Sequence, residues 1–135
     1  MSEGKKGMKN VVCKMLKIYV PYSGLDWMNY RLVREDVTYH HIVKKADGGK
    51  KDINNGALLM PTGHQYLHLI ENMDIDTYVE LNEFLKDVNM QKHEPTLMQR
   101  GIIEDILLNF EKEHRWDKDR DGNLLIRAKY LRRWE

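Results

Sequence analysis

The stretch YHHIVKKADGGKKDINNGALLMPTGHQYLH, residues 39–68, decides the fold. Around its start, residues 37–43 are β-branched and aromatic with partial alternation, which predicts a strand. KKADGGKKDINN, residues 44–55, is turn chemistry, rich in Gly, Asp and Asn. GALLM, residues 56–60, is short and apolar enough for a second strand. Pro61-Thr62 then marks a helix start, with the Thr62 hydroxyl at or near the N-cap and helix from about Gly63. The predicted order is strand, loop, strand, helix. On that helix His64 and His68 stand at i and i+4, so both imidazoles project from one face. His40 and His41 are neighbours on the first strand, where successive side chains alternate, so a regular strand cannot turn both the same way.

Working outward, 135 residues with 41% hydrophobic content predict one domain over residues 11–135, behind a disordered lead over residues 1–10. VVCKMLKIYV, residues 11–20, is β-branched and predicts a strand, with a short helix as the alternative. Trp27 and Tyr30 are expected to pack rather than bind. Beyond residue 72 the chain reads as helical. Asp74 or Asp76 caps a helix whose Tyr78, Leu81, Phe84, Leu85 and Val88 form an apolar stripe. Pro95-Thr96 opens another, with Ile102, Ile103, Ile106, Leu107 and Phe110 inward. NLLIRAKYLRRWE, residues 123–135, carries Arg127, Lys129, Arg132 and Arg133 and reads as a basic helix. DKDRDGN, residues 117–123, opens like a calcium loop, but Ala128 stands where the bidentate glutamate is needed. An acidic turn is the better reading.

The formal net charge is +1, so a nucleic-acid role has to rest on local lysine and arginine clusters rather than on the whole molecule. Cys13 is the only cysteine, which excludes an intramolecular disulfide and any zinc site built from several of this chain's thiolates. Lys14 and Lys17 break the apolar stretch near the N-terminus, so neither a signal segment nor a membrane span is expected, and a cytoplasmic location fits.

Four of the six histidines, His40, His41, His64 and His68, fall in the strand, loop, strand, helix unit. A single histidine on an apolar face is ordinarily structural. Four on one hairpin and helix suit a transition metal, because a helical H-x-x-x-H pair needs only one or two further ligands.

The spacing resembles the HNH endonuclease family and its ββα-metal motif, which pairs a first-strand histidine, an asparagine at the second strand and a helix histidine. Here the carriers are His40-His41, Asn55 and His64 with His68. Asn55 precedes His64 by nine residues, as in the family. Met60 and Gly63 stand where many members carry a structural cysteine pair, so the chain looks closer to the cysteine-free branch that includes colicin-type DNases. The resemblance implies an α+β fold, with a ββα-metal core at about residues 37–72 embedded in a helical C-terminal half, residues 73–135. It implies His41 as general base, His40, His64 and His68 as ligands of one divalent cation, and Asn55 in the catalytic set as the residue that orients the loop. A one-residue register change would give that place to Asn54. Magnesium or manganese fits the family, and zinc or nickel fits an all-histidine set.

Lys44, Lys45, Lys50 and Lys51 flank the hairpin loop, where they could hold backbone phosphates of DNA, double-stranded by expectation. A solvated polar turn is the alternative. The implied activity is hydrolysis of DNA phosphodiester bonds, one strand per site. The competing reading is a catalytically degenerate relative that binds nucleic acid or a protein partner. A homodimer is possible, but no heptad seam marks one.

Overall fold

The computed structural model describes residues 3–132. Two short strands, β1 (Thr38–His41) and β2 (Gly56–Leu59), pair antiparallel with Thr38 opposite Leu59 and His41 opposite Gly56. Four helices surround them: α1 (Glu3–Tyr19), α2 (Pro61–Met73), α3 (Ile75–Gln91) and α4 (Leu97–His114). The fold is α+β, with a ββα core set among helices.

The segment 11–20, expected as a strand, is the second half of α1, which begins inside the ten residues expected as a disordered lead. The β-branched start of this segment is outweighed by its period. Val12, Met15, Leu16 and Tyr19 recur at helical spacing, and all four are buried. The strand pattern in the hairpin holds because it is truly two-sided. Every residue of β2 is buried, as a strand covered on both faces requires. Tyr39 turns toward α1: a Cβ on Gly56 would lie 2.3 Å from the Tyr39 ring and 3.0 Å from Met15 Sδ. Thr38 and His40, on the other face, turn toward α2.

Helix α2 starts two residues earlier than the sequence suggests. Pro61 is at N1, Met60 is the N-cap, and no side chain caps the end, so Thr62 lacks the expected role. The missing cap is supplied from elsewhere in the chain. The carboxylate of Asp26 is fully buried (0% exposed). Its Oδ2 accepts from the Met60 backbone N–H at 2.7 Å. Its Oδ1 accepts from Met28 N–H at 2.8 Å and Tyr30 N–H at 2.9 Å. One side chain thus folds the 26–30 loop and fixes the turn from β2 into α2. Burial pushes the Asp26 pKa up to about 6, against the opposing pull of these donors and of Arg100. Arg100, also buried, donates to the Asp26 carbonyl at 2.6 Å and to Glu94 Oε1 at 2.9 Å, tying the same loop to α4.

Asp74 caps α3 by accepting from Thr77 N–H, and Thr96 with Gln99 forms a capping box on α4. The α3 stripe packs as expected at Tyr78, Leu81, Leu85 and Val88, with Phe84 half-buried. On α4 the buried set is Ile103, Leu107 and Phe110, while Ile102 stays exposed. Trp27 and Tyr30 are in the core.

The C-terminal segment corrects the expected basic helix. Among the described residues it holds only a short 3-10 turn, Ala128–Tyr130, and an isolated bridge between Lys118 and Leu124. It lies across α2 and α4: Tyr130 stacks on Tyr66 at 5.0 Å. The Arg132 side chain, 1% exposed, pairs with Glu104 and Glu111 at 3.1 Å each. Arg132 is therefore a buried clamp rather than a phosphate contact, and Arg133 lies outside the described residues. The DKDRDGN stretch is a tight acidic turn. The Asp119 carboxylate accepts from Asp121 N–H and Asn123 N–H, and Gly122 takes φ +84. Among the described residues, no helix is long and apolar enough to cross a membrane.

Asp26→Asn keeps the shape but turns an amide N–H₂ toward a backbone N–H at one of three positions. It should cost about 1–3 kcal/mol of stability at neutral pH, the range for a buried donor left unpaired. Urea unfolding of the variant beside wild type checks this.

Candidate metal and nucleic-acid site

The alternation of β1 splits the adjacent histidines. His40, 3% exposed, turns inward to α2, where its ring centroid lies 5.4 Å from that of His64 and 6.4 Å from that of His68. His64 and His68 are 4.9 Å apart and nearly parallel, as the i, i+4 spacing on α2 dictates. His41 is half-buried, its ring set edge-on against Tyr39 at 4.8 Å. A cleft of about 270 Å³ joins all four histidines with Tyr39, Lys44, Lys45 and Tyr78.

His40 and His64 each have one nitrogen committed to an oxygen. His40 Nε2 meets Asn82 Oδ1 at 2.9 Å. His64 Nδ1 meets Thr38 Oγ1 at 3.0 Å, and that hydroxyl already donates to Leu59 O at 2.7 Å. The Thr38 oxygen therefore accepts, His64 Nδ1 carries the hydrogen, and Nε2 is the lone-pair nitrogen. His68, more than half exposed, has Nδ1 3.5 Å from Glu71 Oε1, so Nε2 is the nitrogen that does not face this carboxylate. Metal-binding histidines are oriented in this way, with the second nitrogen held by a carboxylate, carbonyl or hydroxyl.

Burial lowers the pKa of His40 and of His64 to about 4, so both are neutral at pH 7, the state in which imidazole binds a cation. The donor set therefore fits a divalent transition metal. Two imidazoles held on one tetrahedral ion place their ring centroids about 5 Å apart, close to two of the three separations here. The third is wider. Among the described residues, only Asp74, Glu113 and His114 offer ligand atoms all within 4.8 Å of one another, so a cation at the histidines has to draw them inward.

That acidic group has a structural role. His114, in the last turn of α4, donates from Nδ1 to Asp117 at 2.8 Å and has Asp74, the cap of α3, 3.5 Å from Nε2. Asp117 first, and Asp74 with it, raise the His114 pKa. The protonated form of a ring at the C-terminus of α4 is thus favoured by the carboxylate that caps the N-terminus of α3.

Asn55 directly precedes β2, and its work is on the backbone. It accepts from Val43 N–H at 2.8 Å and donates to Val43 O at 3.0 Å and Lys50 O at 2.9 Å. These bonds close the 43–50 loop behind His41. Gly49 allows the closure, since a Cβ there would fall 1.8 Å from Val43 O. Asn54, the alternative in the sequence, points away and accepts from Lys92 Nζ at 2.8 Å. Lys45 and Lys50 are exposed and Lys51 half-exposed. Lys44 is not free, because its ammonium pairs with Glu71 and lies over the Tyr78 ring. Burial lowers the His41 pKa, and the charges of Lys51 and Lys45 lower it further.

Thr38, Glu71, Tyr78 and Asn82 belong to the site but were not found from the sequence. Thr38 could have been, since it lies two residues before His40 and so on the same strand face. Tyr78 and Asn82 come from α3, and nothing local places that helix against β1.

The HNH endonuclease family model matches residues 28–68, a stretch that runs from the Asp26-held loop through β1 and β2 to His68. The match contains His40, His41, Asn55, His64 and His68, and it upholds the HNH resemblance drawn from them. The one cysteine, Cys13, is exposed and unpaired, consistent with the cysteine-free branch. The match covers a family of nucleases and leaves α1, α3 and α4 outside it. Neither the curated proteins nor the solved structures compared with the chain gave a match.

Two measurements test the electrostatics. A histidine whose folded pKa is depressed stabilises the fold fully above its unfolded value near 6.5, and that contribution is lost as pH falls through about 4. Metal-free protein should lose stability steadily across that interval in denaturant titrations, and His40→Gln should flatten the slope. The Tyr78 hydroxyl is buried with no hydrogen-bond partner among the described residues. Tyr78→Phe should leave stability unchanged or raise it by about 1 kcal/mol, read as a shift in the unfolding midpoint.

Proposed function

We propose that this protein is a metal-dependent endonuclease that hydrolyses phosphodiester bonds of double-stranded DNA, nicking one strand per site. The observation that carries the reading is the division of labour between adjacent histidines. His40 comes together with His64 and His68, while His41 lines the same cleft outside that trio, its pKa lowered by burial and by the charges of Lys51 and Lys45.

His40, His64 and His68 would hold one divalent cation, magnesium, manganese, zinc or nickel. Such an ion, when bound, supplies Lewis-acid polarisation of the phosphate and charge stabilisation for the departing oxygen. His41 takes a proton from water as the water oxygen attacks phosphorus. The P–O3′ bond breaks, leaving a 5′ phosphate and, once the departing oxygen is protonated, a 3′ hydroxyl. Lys45 and Lys51 serve twice. They add to burial in lowering the His41 pKa, and with Lys50 they offer positive charge to the DNA backbone at the cleft mouth. Lys44 contributes less, since Glu71 neutralises it. Asn55 positions His41 through the loop it closes and has no direct part in proton transfer.

Purified protein is to be incubated with supercoiled plasmid and magnesium, manganese, nickel or zinc, with His41→Ala beside it. Conversion to open circle should require a metal and fall by about 10²–10⁴-fold in the variant, the usual worth of a general base. Metal or DNA binding without cleavage by wild type would overturn the enzyme reading in favour of a degenerate binding protein.

A further inference from the structure

We propose that Asn82, on α3 and outside the matched segment, is a positioning residue of the cation site that makes Nδ1 the ligating atom of His40. The inference rests in part on the endonuclease reading, because it concerns the same cation.

The geometry leaves one arrangement. Asn82 Nδ2 donates to the backbone carbonyl of Ile42 at 2.8 Å. A carbonyl only accepts, so the amide nitrogen must face Ile42 and Oδ1 must face His40 Nε2, 2.9 Å away. Rotating the amide by half a turn would set two oxygens against each other at the Ile42 end. Oδ1 can only accept, so Nε2 carries the hydrogen and Nδ1 keeps the lone pair. His64 and His68 present Nε2 instead, held by Thr38 and Glu71. The cation site would thus take one Nδ1 from the strand and two Nε2 from the helix.

Helix α3 can impose this because it is clamped to the chain on both sides of the hairpin loop, where β1 ends and where β2 begins. Two turns after Asn82, Asn89 Nδ2 donates to Ile53 O at 2.8 Å and to Gly56 O at 2.7 Å. Asn89 meets only backbone and is a structural clamp. Asn82 holds backbone with one end of its amide and the buried imidazole with the other. One turn before it, Tyr78 lines the same cleft, so one face of α3 serves as a wall of the site.

The test uses the full chain. In metal-free, ¹⁵N-labelled wild type, long-range ¹H–¹⁵N spectra should show His40 as the Nε2–H tautomer. Zinc titrated calorimetrically into Asn82→Leu should bind about 10–100-fold more weakly than into wild type, the usual loss when the partner of a ligating histidine is removed. The tautomer preference of His40 should relax in the same variant. A wild-type Nδ1–H tautomer overturns the proposal whether or not the variant folds, and so does unchanged zinc affinity in a folded Asn82→Leu. Should wild type bind no zinc, manganese or nickel, the cation reading itself fails and takes the ligating role of Nδ1 with it. The tautomer then still reports whether Asn82 orients His40.

Discussion

A single buried carboxylate sets the geometry on which the site depends. Asp26 has no exposed surface, yet it satisfies three backbone N–H groups from two separate parts of the chain. One of these belongs to Met60, the residue through which β2 passes into α2. His64 follows four residues later, so its position relative to β1 depends on that turn. Gly63 is packed hard by the same device: a Cβ there would meet Asp26 Oδ2 at 3.1 Å and the Tyr30 ring at 3.0 Å. The charge is costly to bury, as its raised pKa shows. Its donors lie on both sides of the turn, so the desolvation cost is offset only when loop, strand and helix are all in place.

A second layer of polar clamps surrounds the first. Asn55 closes the hairpin loop on itself, Asn89 ties the end of that loop to α3, and Asn82 joins α3 to the end of β1. All three asparagines bind backbone carbonyls through Nδ2. A side-chain amide can satisfy a carbonyl at a strand end, where the ladder has stopped, without bringing a charge into a half-buried region. The histidines sit between these clamps; burial keeps His40 and His64 neutral, and each of those two rings is turned by an oxygen acceptor. The C-terminal segment completes the far side, with Arg132 buried between Glu104 and Glu111 and away from the cleft.

Much of this was legible from the chain. The hairpin, the helix after Pro61, the cap at Asp74, the helix opened at Pro95-Thr96 and, Ile102 apart, the two apolar stripes follow local rules of period and capping, and they hold. Where local signals competed, period prevailed over residue type. Val11 and Val12 favour a strand, but Val12, Met15, Leu16 and Tyr19 bury one helical face. The lysine and arginine clusters were less legible. Lys44 and Arg132 look like their basic neighbours in the sequence, and only the fold sets a glutamate beside each.

The sequence by itself determined which residues could do chemistry. Histidines at i and i+4 on a helix share a face, and adjacent histidines on a strand part to opposite sides, in any fold that contains those elements. Tertiary structure alone decided the state of those histidines. The neutrality of His40 and His64 comes from burial, and the hydrogen on each of those rings is placed by Asn82 and Thr38. Asn82 stands 42 positions along the chain from His40. No local pattern encodes which acceptor meets which ring nitrogen, because that depends on how helices pack, and packing is set by the whole buried surface at once.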